Sequence, residues 1–187
     1  MDRDATVREH EAFRNLLQAM ARPGTVRALA GGVGGGEAAL DLLLDCVLDG
    51  ESSLAVLDGP EAPLAEAAGR RNGCRRTEAG SADFVLAGPE GGGSRLASLR
   101  LGEPDYPDRS ATVVYRVARL EEAGGSWKWT GPGIADEIRP LVEGLPDAEW
   151  HHLRMVNSVY PMGVDCVFVD KAGRIAAMPR STRLEEV

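Results

Sequence analysis

Side chains that could bind an anion follow the last predicted strand of the chain. The segment "MPRSTR" places Arg180, Ser181 and Thr182 directly after Pro179, which ends the strand and leaves these side chains unconstrained by its hydrogen-bond ladder. A guanidinium group beside hydroxyl groups suits a phosphate or the carboxylate of a partner protein. A solvated tail is the alternative and stays open at this point. We take Arg180, Ser181 and Thr182 as candidate contacts to an anion or a partner.

A carboxylate begins the strand that precedes this segment. In "YPMGVDCVFVD", Asp165 opens an otherwise apolar run. A buried carboxylate is costly unless it is paired, so Asp165 must either lie at the edge of the sheet or anchor another group. A simpler role is to accept hydrogen bonds from the N–H groups of a neighbouring loop. Asp165 is therefore a second candidate contact.

The segment "TGPGIADEI" could hold a phosphate, because the N-terminus of a helix offers free N–H groups and a positive dipole end. The sequence predicts a helix over "IADEIRPLVEGL", with Asp136 and Glu137 in its first turn. Their charges would repel an anion, and Pro132 removes one N–H donor. No Gly-Lys-Ser/Thr follows, as a phosphate-binding P-loop requires. We predict a structural turn here and keep Gly131 and Gly133 as candidate contacts only.

A glycine-rich stretch formally matches a dinucleotide-binding pattern. Gly34, Gly36 and Ala39 satisfy G-x-G-x-x-A, and Asp58 ends the next predicted strand at about the ribose-binding distance. A run of glycines makes such matches common, and Glu37 lies where a pyrophosphate would bind. The stretch is more typical of a variable surface loop.

The lysines limit the cofactors that the chain could use. Only Lys128 and Lys171 occur among 21 basic residues, and pyridoxal phosphate (PLP) requires a lysine in a desolvated pocket. Lys171 lies in the predicted turn "DKAGR". Lys128 separates Trp127 and Trp129, which in a strand would occupy the buried face and leave the lysine outside. We predict no cofactor.

Cysteine and histidine residues indicate neither a metal site nor a catalytic group. Cys46, Cys74 and Cys166 are far apart and belong to no Cys-x-x-Cys or Cys/His cluster. His151 and His152 are adjacent on a predicted helix, so their rings point about 100° apart. No nucleophile elbow is present. The residues alone therefore indicate no catalytic residue.

The elements that position these residues alternate between helices and apolar strands. In "EAFRNLLQAMARPG", Phe13, Leu16, Leu17 and Met20 have the spacing of one helix face. The segments "SLAVLD", "ADFVLAG" and "SATVVYRVARL" are typical of buried strands, and "GVDCVFVD" with "RIAAMPR" predicts an antiparallel hairpin. "GPEGGGS" is interpreted as a surface loop. The pattern predicts one α/β domain over residues 1–187, with helices layered around a mixed sheet.

Charge and hydropathy narrow the class of protein. The formal net charge is −8, which argues against binding to nucleic acid or to an anionic membrane surface. No apolar run is long enough to span a bilayer, and the first residues, "MDRDATVREHE", are polar. We expect a cytoplasmic protein.

Several of these segments, taken in order, resemble the PhnH subunit of the bacterial carbon–phosphorus lyase system. They are "FRNLLQAMARPG", "PDRSATVVYRV", "TGPGI" and "YPMGVDCVFV" with "MPRST". The resemblance extends from about Phe13 to Thr182, and the ordered set is more specific than any one segment.

The resemblance implies a role in phosphonate catabolism, as a homodimer and as a partner of the PhnG, PhnI and PhnJ subunits. The assembled complex would couple a phosphonate to the ribose of ATP with loss of adenine. The fold would be similar to the large domain of PLP-dependent transferases, without the cofactor. A non-catalytic or accessory subunit is therefore our leading hypothesis. A free-standing PLP- or nucleotide-binding enzyme is the alternative.

Overall fold

The computed structural model of the chain describes residues 3–29, 35–58 and 61–187. Its α-helices are α1 (Arg3–Ala21), α2 (Gly35–Val47), α3 (Ala62–Asn72) and α4 (Asp147–Val156). Its strands are β1 (Arg27–Ala28), β2 (Ser53–Asp58), β3 (Arg75–Arg76), β4 (Phe84–Ala87), β5 (Leu101–Glu103), β6 (Tyr106–Ser110), β7 (Thr112–Val117), β8 (Arg119–Glu121), β9 (Trp127–Thr130), β10 (Leu141–Glu143), β11 (Asp165–Asp170), β12 (Arg174–Met178) and β13 (Arg183–Glu186). Short 3-10 helices lie at Ala79–Ser81, Gly93–Ser98 and Asn157–Val159.

A mixed sheet forms the centre of the described structure, in the order β1-β12-β11-β7-β4-β2-β3. Strands β3, β2, β4, β7 and β11 run parallel, whereas β12 pairs antiparallel with both β11 and β1. The predicted terminal hairpin is confirmed, with Cys166 opposite Met178. The α/β class with a mixed sheet is confirmed as well.

Each face of the sheet carries its own hydrophobic core. Helices α1, α2 and α3 cover one face, where Leu40 and Leu44 pack with Val114 of the sheet. The other face packs against α4 and the smaller strand pairs, and Tyr115 and Trp150 belong to its core. Because side chains alternate along a strand, Val114 and Tyr115 of β7 contribute to opposite cores. The sheet thus joins two apolar layers.

No helix in the described ranges is both long and apolar enough to cross a membrane.

The predicted buried face of α1 is confirmed only in part, at Leu16 and at the partly buried Met20. Phe13 is 44% exposed and Leu17 is 52% exposed, whereas Ala12, Leu16 and Ala19 are buried. Alanine has a small side chain, so a stripe centred on alanines lets the helix approach its neighbours closely. Helix α1 uses this stripe to contact α2 and β12.

The predicted helix over "IADEIRPLVEGL" is wrong. The backbone of Ile138 pairs with Trp129 instead, through N···O distances of 2.8 and 3.1 Å, and strand β10 follows and pairs with β8. The apolar spacing of this segment imitates a helix face. However, Pro140 lacks an N–H donor and disfavours the helical conformation at Arg139, so a continuous helix is not favoured.

The glycine loop "GPEGGGS" is anchored rather than free on the surface. The carboxylate of Glu149, in the first turn of α4, accepts hydrogen bonds from the N–H groups of Gly92 at 2.8 Å and Gly93 at 2.6 Å. The hydroxyl of Tyr115 donates to the same carboxylate at 2.6 Å. A Cβ atom on Gly91 would lie 2.7 Å from Glu149, so the close approach requires glycine. Pro89, Glu90 and Ser94 are nevertheless exposed, so this is a surface loop with one end held against Glu149.

Candidate anion and partner site

Arg180 and Asp165 form an ion pair at the start of β11. The Nη2 atom of Arg180 donates to Oδ2 of Asp165 at 2.5 Å, and the backbone N–H of Arg180 donates to Oδ1 at 2.8 Å. The exposed fractions of the two side chains are only 16% and 15%. The hairpin causes this contact, because β12 returns antiparallel to β11 and brings Arg180 beside the first residue of β11. Asp165 therefore holds both the guanidinium and the backbone of the segment after Pro179.

The carbonyl oxygen of Pro107, in β6, completes the setting of Arg180 by accepting a hydrogen bond from Nη1. The expectation that side chains after Pro179 are unconstrained is therefore wrong for Arg180. Its guanidinium group is held by a carboxylate of the same chain. Its three nitrogen atoms all donate hydrogen bonds within the chain, so the orientation of the group is fixed.

Thr182 adds a buried hydroxyl group next to this pair. Thr182 is 3% exposed, and its N–H donates to the carbonyl oxygen of Pro179 at 2.9 Å. Its Oγ1 atom is buried without a hydrogen-bond partner in the described part of the chain. Buried hydroxyl groups are normally hydrogen-bonded, so this atom could bind a group from outside the chain. Ser181 lies between Arg180 and Thr182 and is half-buried.

Gly131 and Gly133 make close backbone contacts that favour the structural interpretation of "TGPGI". A Cβ atom on Gly131 would lie 2.8 Å from the carbonyl oxygen of Ser181, and one on Gly133 would lie 2.4 Å from that of Ala21. Both glycines have positive φ angles, of 133° and 83°. The N–H of Ile134 donates to the carbonyl oxygen of Gly131 at 3.1 Å and closes the turn. The segment thus links the end of α1 to the segment that carries Arg180.

These residues border an open cleft of about 640 Å³, which we call the Arg180 cleft. Its walls come from the "TGPGI" turn, the end of α4 and the segment after β12; they are Gly131, Pro132, Arg154, Asn157, Ser158, Tyr160, Arg180, Ser181, Thr182, Arg183, Leu184 and Glu185. Sequence reasoning missed Arg154, Asn157 and Tyr160, because they belong to a helix end without a recognisable motif. The cleft thus brings together the predicted residues Arg180, Ser181, Thr182 and Gly131.

The electrostatics of the Arg180 cleft favour an anionic group. Arg154 and Arg183 are exposed, and neither guanidinium group forms a hydrogen bond or an ion pair with the residues that the structure describes. Glu185 is the acidic residue in the wall, and Lys128 neutralises it at 2.5 Å. A hydrogen bond from Lys128 lowers the pKa of this carboxyl group. The charge of Arg154 contributes to the same pKa shift of Glu185, so Arg154 already interacts with this carboxylate. The positive charges of Arg154 and Arg183 can still receive a phosphoryl group or a carboxylate from outside the chain.

The other residues considered from the sequence lie elsewhere. His151 contacts the ring of Trp127, whereas Nδ1 of His152 lies 2.6 Å from the carbonyl oxygen of Ala148. No group of three or more His, Cys, Asp or Glu side chains within residues 3–29, 35–58 and 61–187 could hold a metal ion. All three cysteines are free.

The topology disfavours the dinucleotide alternative. Gly34 lies outside the described residues, but the strands on either side of α2 are described. Strand β1 lies at one edge of the sheet and β2 near the other, so β1, α2 and β2 do not form a βαβ unit. Glu37 lies in the first turn of α2, as the sequence predicts. The described strands around α2 therefore lack the βαβ arrangement in which this glycine pattern binds a dinucleotide.

A model of a protein family described as bacterial phosphonate metabolism protein (PhnH) matches residues 2–185. The chain belongs to the PhnH family. A relative from Stutzerimonas stutzeri, named as the C-P lyase subunit protein HtxG, is 37% identical over 179 residues, which cover 95% of this chain and 86% of the relative. A second, from Rhizobium meliloti (strain 1021), is named alpha-D-ribose 1-methylphosphonate 5-triphosphate synthase subunit PhnH. It is 36% identical over 85 residues, which cover 46% of this chain and 42% of the relative.

The segments that carry the PhnH resemblance meet around the Arg180 cleft. The "ARPG" end of α1 packs against Gly133, and "TGPGI" packs against Ser181 through Gly131. The segment "PDRS" supplies the carbonyl oxygen of Pro107 to Arg180. Segments that are distant in the sequence thus contact one another next to the Arg180 cleft.

Proposed function

We propose that this chain is a non-catalytic, accessory subunit of a carbon–phosphorus lyase core complex in the cytoplasm, with PhnG, PhnI and PhnJ as partners. Membership of the PhnH family and the names of the two relatives support a subunit of a phosphonate-metabolising assembly. In this proposal the assembled complex couples a phosphonate to the ribose of ATP with loss of adenine. The present chain contributes binding surfaces to that reaction.

The observation that best supports an accessory role is that burial raises the pKa of all three cysteine thiols. Burial raises the pKa of the Cys46 thiol to about 11 and raises the pKa of the Cys166 thiol well above its usual value. Burial also raises the pKa of Cys74. Because the thiolate is the nucleophilic form, these thiols are poor nucleophiles at neutral pH.

The lysines fit a PLP site poorly, although the proposed fold likeness is to the large domain of PLP-dependent transferases. Lys128 donates to Glu185 at 2.5 Å and lies 3.7 Å from Glu137, and the hydrogen bond to Glu185 raises its pKa. Its neighbours Trp127 and Trp129 are buried on the other side of β9. Lys171 is exposed in the turn of the β11–β12 hairpin. A Schiff base needs a deprotonated amine, which neither position favours.

Purified protein should therefore not retain PLP. The protein is incubated with PLP and dialysed, and its absorption is recorded in the near-ultraviolet and visible range. We expect no aldimine band that survives dialysis. A retained band that Lys128→Ala abolishes would contradict the prediction and favour the free-standing enzyme.

We propose that the Arg180 cleft is the contact with a partner subunit, in which a carboxylate of the partner binds to Arg154 and Arg183. The exposed cations support this role, as does the Thr182 hydroxyl group, which has no hydrogen-bond partner among the described residues. We further propose that residues 1–187 form one PhnH-like domain and that two copies form a homodimer. Sedimentation equilibrium at micromolar concentration should give twice the chain mass, and a monomer would contradict the dimer.

Assembly can be measured by co-expressing the chain with PhnG, PhnI and PhnJ and purifying through a tag on PhnI. We expect stoichiometric recovery of the wild-type chain. The double variant Arg154→Ala/Arg183→Ala should be recovered at least tenfold less efficiently, because both exposed cations of the cleft are lost.

Arg70→Ala is the matched control, because Arg70 is an exposed arginine on α3, on the other face of the sheet. Its recovery should equal that of the wild type. If the wild-type chain never co-purifies, the subunit proposal is wrong. If the double variant co-purifies fully, the complex is formed through another surface.

A further inference from the structure

A second cleft lies at the opposite ends of the parallel strands, and we call it the Glu61 cleft. It has a volume of about 390 Å³, and its polar wall consists of Glu37, Glu61, Arg116, Asp170 and Lys171. Arg116 lies near the carboxyl end of β7, and Asp170 ends β11. In open α/β sheets, ligands bind outside the carboxyl ends of the strands. The position and the volume therefore suit a small molecule.

Glu61 is a buried carboxylate in the wall of this cleft. The residue is 0% exposed, and its Oε2 atom accepts a hydrogen bond from Nη1 of Arg116 at 2.7 Å. Its Oε1 atom is buried and has no hydrogen-bond partner within the described ranges. An ionised buried oxygen without a donor is unfavourable, so a donor from outside the chain would remove this cost.

Asp170 is the other buried carboxylate of the cleft, and both of its oxygen atoms accept hydrogen bonds. Its Oδ2 atom accepts hydrogen bonds from Nε of Arg174 at 2.8 Å and from the N–H of Leu120 at 3.2 Å. Its Oδ1 atom accepts from the N–H groups of Ala172 and Arg174, both at 2.9 Å. Asp170 and Arg174 thus form a closed structural pair, and Glu61 is the buried group with capacity to bind.

The charges of the Glu61 cleft favour an uncharged ligand. Glu37 and Glu61 balance Arg116 and Lys171, and the Asp170–Arg174 pair is neutral as a unit. Glu37, at the start of α2, also disfavours an anion there. A hydroxyl group can donate to the free oxygen of Glu61 and accept from the remaining N–H groups of Arg116. Two adjacent hydroxyl groups can engage both partners at once.

We propose that the Glu61 cleft binds a neutral vicinal diol, as carried by a monosaccharide or an open-chain polyol. One hydroxyl group donates to Oε1 of Glu61, and its neighbour accepts a hydrogen bond from Arg116. This site is separate from the Arg180 cleft, because β11 has Asp165 at one end and Asp170 at the other. The proposal therefore does not depend on the role of the chain in a complex.

The full chain, labelled with nitrogen-15, is titrated with D-xylose, with glycerol and with tetrahydropyran, which has the xylose ring without its hydroxyl groups. Amide chemical shifts of Gly36, Val117 and Lys171 report on the cleft. We expect saturable shifts with D-xylose, glycerol or both, and none with tetrahydropyran. Tighter binding of xylose identifies a cyclic sugar, and tighter binding of glycerol identifies an open-chain polyol.

Glu61→Gln should weaken this binding at least tenfold, because hydrogen bonds to an ionised acceptor are the stronger ones. Glu66→Gln is the matched control, since Glu66 is exposed on α3, the helix that begins directly after Glu61. Arg116→Lys provides a second variant if Glu61→Gln does not fold, and it should also weaken binding. Absence of saturable shifts with both diols, equal shifts with tetrahydropyran, or wild-type affinity in Glu61→Gln would overturn the proposal.

Discussion

At the scale of single residues, the ion pair between Arg180 and Asp165 determines the shape of the Arg180 cleft. The aspartate holds the guanidinium group and the backbone N–H of Arg180 together. Arg183 lies three residues later and is exposed. Two arginines in one short segment therefore have different roles, because one positions the segment and the other can reach a partner.

Arg180→Ala should destabilise the protein by about 2–3 kcal/mol, because it leaves the largely buried Asp165 carboxylate without its charged partner. Arg183→Ala should change the free energy of unfolding by less than about 0.5 kcal/mol. Urea denaturation measures both values. A double variant Asp165→Asn/Arg180→Ala should recover part of the loss, since no unpaired charge remains. Equal stability of the two single variants would show that the pair is not structural.

At the scale of elements, the "TGPGI" turn holds the end of α1 against the segment that follows β12. Gly133 approaches the carbonyl oxygen of Ala21, and Gly24, after α1, approaches Ile138. The contact at Gly133 is with backbone and leaves no room for a side chain, whereas the contact at Gly24 is with the end of the Ile138 side chain. The turn therefore fixes the distance between the end of α1 and the segment that follows β12.

Gly133→Ala should cost about 2–4 kcal/mol of stability, because it combines a left-handed φ angle of 83° with a Cβ atom 2.4 Å from the Ala21 carbonyl oxygen. Gly124→Ala is the matched control, with a φ angle of 96° and no atom within 4 Å of its Cβ position. The control should lose only about 1–2 kcal/mol, the cost of the backbone conformation. Chemical denaturation compares the two variants, and equal losses would mean that the turn can move away from α1.

The parts of this structure that the sequence predicts are those in which local pattern and tertiary packing agree. The β11–β12 hairpin has apolar strands and a short polar turn, and Asp165 is visible as a carboxylate that needs a partner. Its partner Arg180 is not predictable, because only the register of the hairpin brings them together. The segment around Ile138 has helical spacing but pairs as a strand. Arg154 and Glu61 have no local signal, since burial and neighbouring strands determine their environment.

At the scale of the whole molecule, one sheet separates two hydrophobic cores, and the same strands contribute side chains to both. Trp127, Trp129 and Trp150 all belong to the core on one face. Helices α1, α2 and α3 provide most of the described helical residues and pack on the other face. Fluorescence and helical circular dichroism therefore report on opposite sides of the same sheet.

Thermal or urea unfolding should give the same midpoint by tryptophan fluorescence and by circular dichroism at 222 nm, because loss of either layer exposes the shared strands. The two curves are recorded on the same samples. A helical signal that disappears well before the fluorescence change would show that the layer of α1, α2 and α3 unfolds independently.

The carboxylate of Glu149 occupies an anion-binding site that the glycine loop at residues 91–93 forms. The loop and Tyr115 form a receptor for a carboxylate, and the carboxylate is covalently part of the chain. In Glu149→Gly the receptor should be empty and the melting temperature should fall. Added acetate should then restore part of the melting temperature, a chemical rescue that chloride at equal ionic strength should not provide. The glycines of this loop thus recognise an internal anion, and glycine-rich character here is no sign of an external phosphate.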